Sequence, residues 1–169
     1  IYGTNRLITL GITRSNITFL GKGKDTTTIK GGFAIYNFEN ITFKNMTVTN
    51  TSEHCSGIDM SNAKVELVDV ALKGCDGPAL YTPYDTSLET TVVATRCEFA
   101  NSRYGAVVNG SLTSATFNNC VFHDNELAGI QVSNKATHLH GEVTAIHSNE
   151  EDGIYAEGSA KVIIHLPSS

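Results

Sequence analysis

Residues 40–48 read NITFKNMTV, and the spacing of their apolar side chains decides the fold. Ile41, Phe43, Met46 and Val48 follow one another in steps of two, three and two. Strict alternation would give twos throughout, and an α-helix would give threes and fours. The pattern fits two short strands that each alternate inward and outward, with one extra residue at a sharp bend between them.

The same step returns along the chain. It appears as Val65, Leu67, Val70, Leu72, as Val92, Ala94, Cys97, Phe99, and as Ala115, Phe117, Cys120, Phe122. A less regular copy is Leu139, Gly141, Thr144, Ile146. The copies lie 24, 27, 23 and 24 residues apart, and eighteen of their twenty positions are apolar in a chain that is 40% hydrophobic. A third short strand precedes each copy. Its inward pairs are Phe33 and Ile35, Ile58 and Met60, Ala106 and Val108, Ile130 and Val132, and Ile154 and Ala156. Gly32, Gly57, Gly105, Gly129 and Gly153 stand directly before these pairs; the coil carrying Gly77-Pro78-Ala79-Leu80 fits less cleanly. A single coil of three strands cannot bury its own apolar face, but stacked coils build a continuous core. The expected fold is all-β: a parallel β-helix with about 24 residues per coil and three short strands per coil. A leucine-rich repeat would need an LxxLxLxxN pattern that is absent, and an antiparallel sandwich does not predict a fixed two-three-two spacing.

Composition agrees. The 169 residues suffice for one domain with a sizeable core, and Gly, Asn, Ser and Thr suit strands joined by tight turns. The net charge is −5, and no run rich in Lys or Arg exists, so the electrostatic footprint of a nucleic-acid binder is missing. No run of eighteen apolar residues suggests membrane insertion. Leu7-Ile8-Thr9-Leu10 and Val162-Ile163-Ile164 are strand-like runs near the two ends. Residues 1–169 thus read as a single β-helix domain cut from a longer array, whose exposed strand edges could associate end to end. Cys55, Cys75, Cys97 and Cys120 form no CxxC pair, and Cys97 and Cys120 share an inward position in successive coils, as a small core stack would.

NITFKNMTV resembles the second-strand, bend, third-strand segment of the pectate-lyase-like right-handed β-helix superfamily. In that superfamily the bend often carries an asparagine that stacks in a ladder from coil to coil. Asn45 and Asn119 match this place, whereas Asp69, Arg96 and Val143 occupy it in the other coils and would break the ladder. Asn16 to Gly32 (NITFLGKGKDTTTIKGG) resembles the opening coils of pectinesterases and related proteins. The resemblance implies a right-handed single-stranded helix, and it directs attention to the outward face of the first strand, the groove of the polysaccharide lyases. The outward residues there would be Ala34, Asp59, Leu80, Val107, Gln131 and Tyr155.

Only Asp59 among these is charged. Calcium prefers six to eight oxygen ligands, which one aspartate cannot supply, so Ca²⁺ would enter only if the chain were a lyase. A glycosidase needs two carboxyl groups roughly 5 to 9.5 Å apart, and Asp59 and Glu66 lie on different strands. No GHG, DPHE or pectinesterase motif is present, so the family's catalytic residues do not carry over. Asp59 and Arg103 remain the candidate catalytic groups, Asp59 also readable as a solvated strand residue. Tyr81 and Tyr84 belong to an expected inserted loop, 81–91, beside acidic groups; with Gln131 and Tyr155 they are candidate contacts for sugar rings or a peptide. His123 and His147 should stack in neighbouring coils near carboxylates, a candidate metal pair, although Asn101, Asn125 and Asn149 mark the same region as turn structure. His138 and His140 place two imidazoles on one strand face without a third ligand in view. Asn16, Asn40, Asn45, Asn50 and Asn109 stand in N-x-S/T sequons, which would fit a secreted or cell-surface protein without deciding the compartment.

Two functional readings follow. One is a non-catalytic β-helix module, needing no cofactor, that presents a face and loops to a polysaccharide or protein partner. The other is a lyase, hydrolase or epimerase acting on acidic polysaccharide, against which the acidic net charge counts.

Overall fold

The computed structural model describes residues 9–133 and 136–165; Leu7 and Ile8 of the opening strand-like run lie outside them. The described residues form eighteen strands and no helix. In chain order they are β1 (Leu10–Gly11), β2 (Ile17–Leu20), β3 (Thr28–Lys30), β4 (Phe33–Tyr36), β5 (Ile41–Thr49), β6 (Ile58–Ser61), β7 (Lys64–Lys73), β8 (Leu80–Thr82), β9 (Thr90–Thr95), β10 (Glu98–Ala100), β11 (Ala106–Val108), β12 (Thr113–Asn118), β13 (Val121–His123), β14 (Ile130–Ser133), β15 (Ala136–His140), β16 (Ala145–His147), β17 (Ile154–Glu157) and β18 (Lys161–His165).

The first sheet is the parallel stack β1-β4-β6-β8-β11-β14-β17. The second runs through β2, the first half of β5, the first half of β7, then β9, β12, β15 and β18. The third runs through β3, the second halves of β5 and β7, then β10, β13 and β16. Each coil hydrogen-bonds to the next in register, so the molecule is a parallel β-helix of about six turns and ~24 residues per turn. At ~4.8 Å per strand spacing, the first sheet is about 30 Å long.

The extra step in NITFKNMTV is a single left-handed residue. Asn45, Asp69, Arg96 and Asn119 have φ of 56°, 53°, 54° and 53°. Each swings the chain from second sheet to third, and the alternation restarts one residue later. Asparagine tolerates this conformation better than other non-glycine residues, which explains the two Asn bends. At the other two, Arg96 donates to Asp69 from Nε at 2.8 Å and Nη2 at 2.6 Å, so a fork replaces the asparagine ladder. The unbroken polar column lies at the next turn instead. Asn125 Nδ2 donates to Asn149 Oδ1 at 2.8 Å and to the Phe99 carbonyl at 3.2 Å. The Ser102 amide donates to Asn125 Oδ1 at 3.3 Å, and Ser102 Oγ accepts from the Cys75 amide at 3.0 Å.

Two frames differ from the spacing expected. In the coil of β14, β15 and β16, Thr137 and Leu139, not Leu139 and Gly141, stack under Ala115 and Phe117. Gly141 makes the bend, with φ of 99°, and Glu142 and Val143 are two added residues behind it. In the coil of Gly77, Leu80 pairs with Ile58 and Ala106 and is fully buried, so it points inward and Tyr81 takes the outward place beside Asp59 and Val107. Ala79 occupies the site that glycine holds elsewhere, and Thr82 is the second inward residue. Because β8 ends at Thr82 and β9 begins at Thr90, the insertion is the segment between them, shorter than 81–91.

The core is a series of stacked inward columns. Phe19 and Phe43 lie parallel with ring centres 4.9 Å apart, Phe33 meets Phe43 edge-on at 4.7 Å, and Phe99 stacks on Phe122 at 4.7 Å with Phe117 edge-on to both. Cys97 and Cys120 are buried free thiols in consecutive coils. Of the sequon asparagines, Asn50 and Asn109 are buried, Asn45 sits at a bend, and Asn16 and Asn40 are exposed but bonded to each other.

The glycines before the first strands are explained by crowding between coils. A Cβ on Gly32 or Gly105 would overlap the carbonyl oxygen of Ser56 or Gly129. On Gly129 it would lie 2.8 Å from the Gly153 carbonyl oxygen, whereas on Gly153 its nearest neighbour is the Ile146 methyl at 3.4 Å. Gly129→Ala is therefore expected to lower unfolding free energy by about 1–3 kcal/mol, the range for overpacking, and Gly153→Ala to change it little. Denaturant titration of the two variants checks this.

Candidate functional site

The in-register stack turns outward residues into columns. On the first sheet one column is Ala34, Asp59, Tyr81, Val107, Gln131 and Tyr155. Beside it run Tyr36 and Ser61 at one end and Ser133 and Glu157 at the other. These columns floor a long open groove with two concavities.

The larger, about 490 Å³, is lined by Thr9, Ala34, Tyr36, His54, Cys55, Ser56, Asp59, Pro78 and Tyr81. Tyr36 OH donates to Asp59 Oδ2 at 2.7 Å. Burial raises the pKa of the Asp59 carboxyl above the usual carboxylate value, with the Tyr36 hydrogen bond opposing it. Burial and the same hydrogen bond push the Tyr36 phenol well up, so it stays a donor at every physiological pH. Tyr81 is likewise raised by burial, then by the Asp59 charge.

The second concavity, about 390 Å³, is lined by Tyr104, Ala128, Gln131, Glu151, Asp152, Tyr155 and Glu157. At its margin the insertion folds back along the groove. Tyr84 OH donates to Glu157 Oε1 at 2.7 Å and lies 3.3 Å from Ser133 Oγ, which also donates to Glu157 Oε1 at 2.7 Å. Hydrogen bonds from Ser133 and then Tyr84 hold the Glu157 pKa below the usual value, the opposite direction to Asp59.

Of the expected site residues, Asp59, Tyr81, Gln131 and Tyr155 share this face, and Tyr84 reaches it from its loop. Arg103 does not join Asp59: it is exposed in the turn before β11, whose Val107 rung lies two rungs from Asp59. No Arg or Lys lines either concavity. Asp59 and Glu157 stand four rungs apart, roughly 19 Å, beyond the separation that glycosidase carboxyl pairs use. Tyr36, Ser133 and Glu157 were missed by reading one outward residue per strand. Each lies two residues beyond an outward residue of its strand, a signal that the period of two carries.

His123 and His147 stack as spaced, with ring centres 5.3 Å apart. His123 Nδ1 already meets Asp124 Oδ2 at 2.6 Å, and its Nε2 lies 3.4 Å from Glu98 Oε1. Its two nitrogens thus face carboxylates, leaving neither turned to an ion shared with His147. His138 and His140 gain a neighbour that the sequence spacing did not offer, His165 on β18.

The raised Asp59 pKa has a consequence for stability. An acid whose folded-state pKa exceeds its unfolded value binds more protons when folded, so stability falls as pH rises between the two values. Wild type should lose stability relative to Asp59→Asn as pH rises from the ordinary aspartate value through the raised one, after which the difference levels off. Paired thermal melts from pH 3 to pH 8 check the sign.

Residues 10–143, well over half of the chain, match the family model described as "Right handed beta helix region". No curated protein sequence matches significantly. With three parallel sheets, in-register coils and a left-handed bend residue between second and third strand, the chain belongs to the right-handed β-helix family.

Proposed function

We propose that this protein is a non-catalytic glycan-binding β-helix module whose first-sheet groove receives an extended, uncharged polysaccharide. The observation that carries this reading is the distribution of tyrosines. Tyr36, Tyr81, Tyr84, Tyr104 and Tyr155 all border the two concavities, interleaved with Asp59, Gln131, Ser133 and Glu157. Tyrosine offers a flat apolar body and a polar tip at low cost in conformational entropy, which suits a ring with one apolar face and a rim of hydroxyls. Carboxylate and amide groups between the rings accept and donate hydrogen bonds to those hydroxyls. The charges on the groove are acidic and no Lys or Arg balances them there, so a neutral chain suits it better than a uronate polymer.

The enzymatic reading has one supporting feature, the Asp59 carboxyl, raised in pKa by burial, against Tyr36 in the larger concavity. Apart from His54, whose ring faces Glu53 and Asp76, it lacks a second carboxyl, Arg or Lys among the residues lining that concavity. We expect the purified chain to bind neutral glucans or xylans without turnover, to ignore pectate and alginate, and to need no Ca²⁺. Tyr81→Ala and Tyr155→Ala should each weaken binding about tenfold, or ~1.4 kcal/mol, while Tyr36→Phe should weaken it less. Calorimetric binding with parallel assays for reducing ends and unsaturated products decides the matter. Turnover abolished by Asp59→Asn would replace the module reading with the enzymatic one.

A further inference from the structure

The outward face of the second sheet carries a cluster that the groove does not use. His138 and His140 alternate outward on β15, and β18 packs beside it with His165 in register with His140. One ligand-capable nitrogen from each of the three lies within 4.8 Å of the other two. His138 Nδ1 and His165 Nε2 are 3.4 Å apart. Around a tetrahedral ion with metal–nitrogen bonds of about 2.0–2.1 Å, ligand nitrogens sit about 3.3 Å from one another. The three rings lie nearly parallel, with His140 and His165 stacked at 3.9 Å, so the rings must turn about their side-chain bonds to bring all three lone pairs to one point. His138 and His140 are partly exposed and His165 is exposed, which leaves the rings room to rotate and an ion a way in. Their surroundings differ from those of His54 and His123, which face carboxylates at 3.9 Å or less. Among the described residues no carboxylate is paired with His138, His140 or His165.

We propose that His138, His140 and His165 bind one divalent transition-metal ion of the Zn²⁺ type, with a fourth position open to water. Three imidazoles are a borderline-soft donor set that favours Zn²⁺, Cu²⁺ or Ni²⁺ and offers none of the oxygens that Ca²⁺ and Mg²⁺ require. The ion joins two adjacent coils through side chains. β18 is covered on its inward side only in part, with Val162 half-buried and Ile164 59% exposed, and an ion bound only by the folded stack stabilises it by mass action. The site is separate from the groove and does not depend on glycan binding.

The test uses the full chain, stripped with chelator and titrated with Zn²⁺, Co²⁺ and Ca²⁺ alone. Calorimetry should show one Zn²⁺ per chain and no Ca²⁺ binding, Co²⁺ should give the visible bands of a four-coordinate site with three nitrogens and one water, and Zn²⁺ should raise the melting temperature. His138→Gln and His165→Gln should each weaken Zn²⁺ binding about tenfold or more and remove the thermal shift, with circular dichroism unchanged because both rings face outward. His123→Gln and His54→Gln should leave binding as in wild type. Absence of saturable Zn²⁺ binding would overturn the proposal, as would binding that survives both cluster variants or is lost with His123→Gln.

Discussion

Every feature of this molecule depends on parallel strands stacking in register, one coil directly upon the next. A coil with two or three apolar side chains per strand has nothing to bury them against except its neighbours. Register therefore fixes more than the backbone ladder. It places Phe19 over Phe43 and Phe99 over Phe122, and it brings the coils so close before the first strand that a Cβ meets a carbonyl. It also sets the left-handed residue between second and third sheets, since without it the chain could not turn and restart its alternation at the same height.

That constraint explains what could be read from the residues and what could not. The two-three-two step is a direct image of the inward columns, so NITFKNMTV carried the architecture, and Gly32, Gly57, Gly105 and Gly129 carried the crowding before the first strand. The errors came where a coil departs from the average. Ala79 stands where the other coils have glycine, which moved the frame by one and put Leu80 outside when it is inside. Gly141 takes the bend and two residues follow it, which moved the frame by two. The asparagine column was sought at the bend between second and third sheets, where Asp69 and Arg96 break it; the continuous polar column runs through Asn149, Asn125 and Ser102 one turn later.

The candidate sites were legible to different depths for the same reason. Asp59, Gln131 and Tyr155 could be placed on one face because each is a single outward step from an inward pair. The partnership of Tyr36 with Asp59 and the clustering of Tyr84, Ser133 and Glu157 join residues from different coils, and they become visible only once the register is known. The third imidazole of the histidine cluster is of this kind: His165 is brought to His140 by the pairing of β15 with β18, across a connection that runs through two other sheets. Contacts between coils are set by coil length, and an error of one or two residues there reverses which side chains face outward.

Function in such a scaffold falls to the outward columns, because the inward ones are committed to the core. Among the described residues, the first sheet gathers tyrosines around concavities with hydrogen-bonding groups between them. The most direct measurement is an NMR titration of the labelled chain with an extended neutral glucan. The account predicts amide shift changes confined to the first-sheet face, at Tyr36, Asp59, Tyr81, Gln131, Tyr155 and Glu157 and in the Tyr84 loop. Changes centred instead on the second-sheet face around Thr42, Glu66 and Val93, or no change for any neutral glycan, would contradict it.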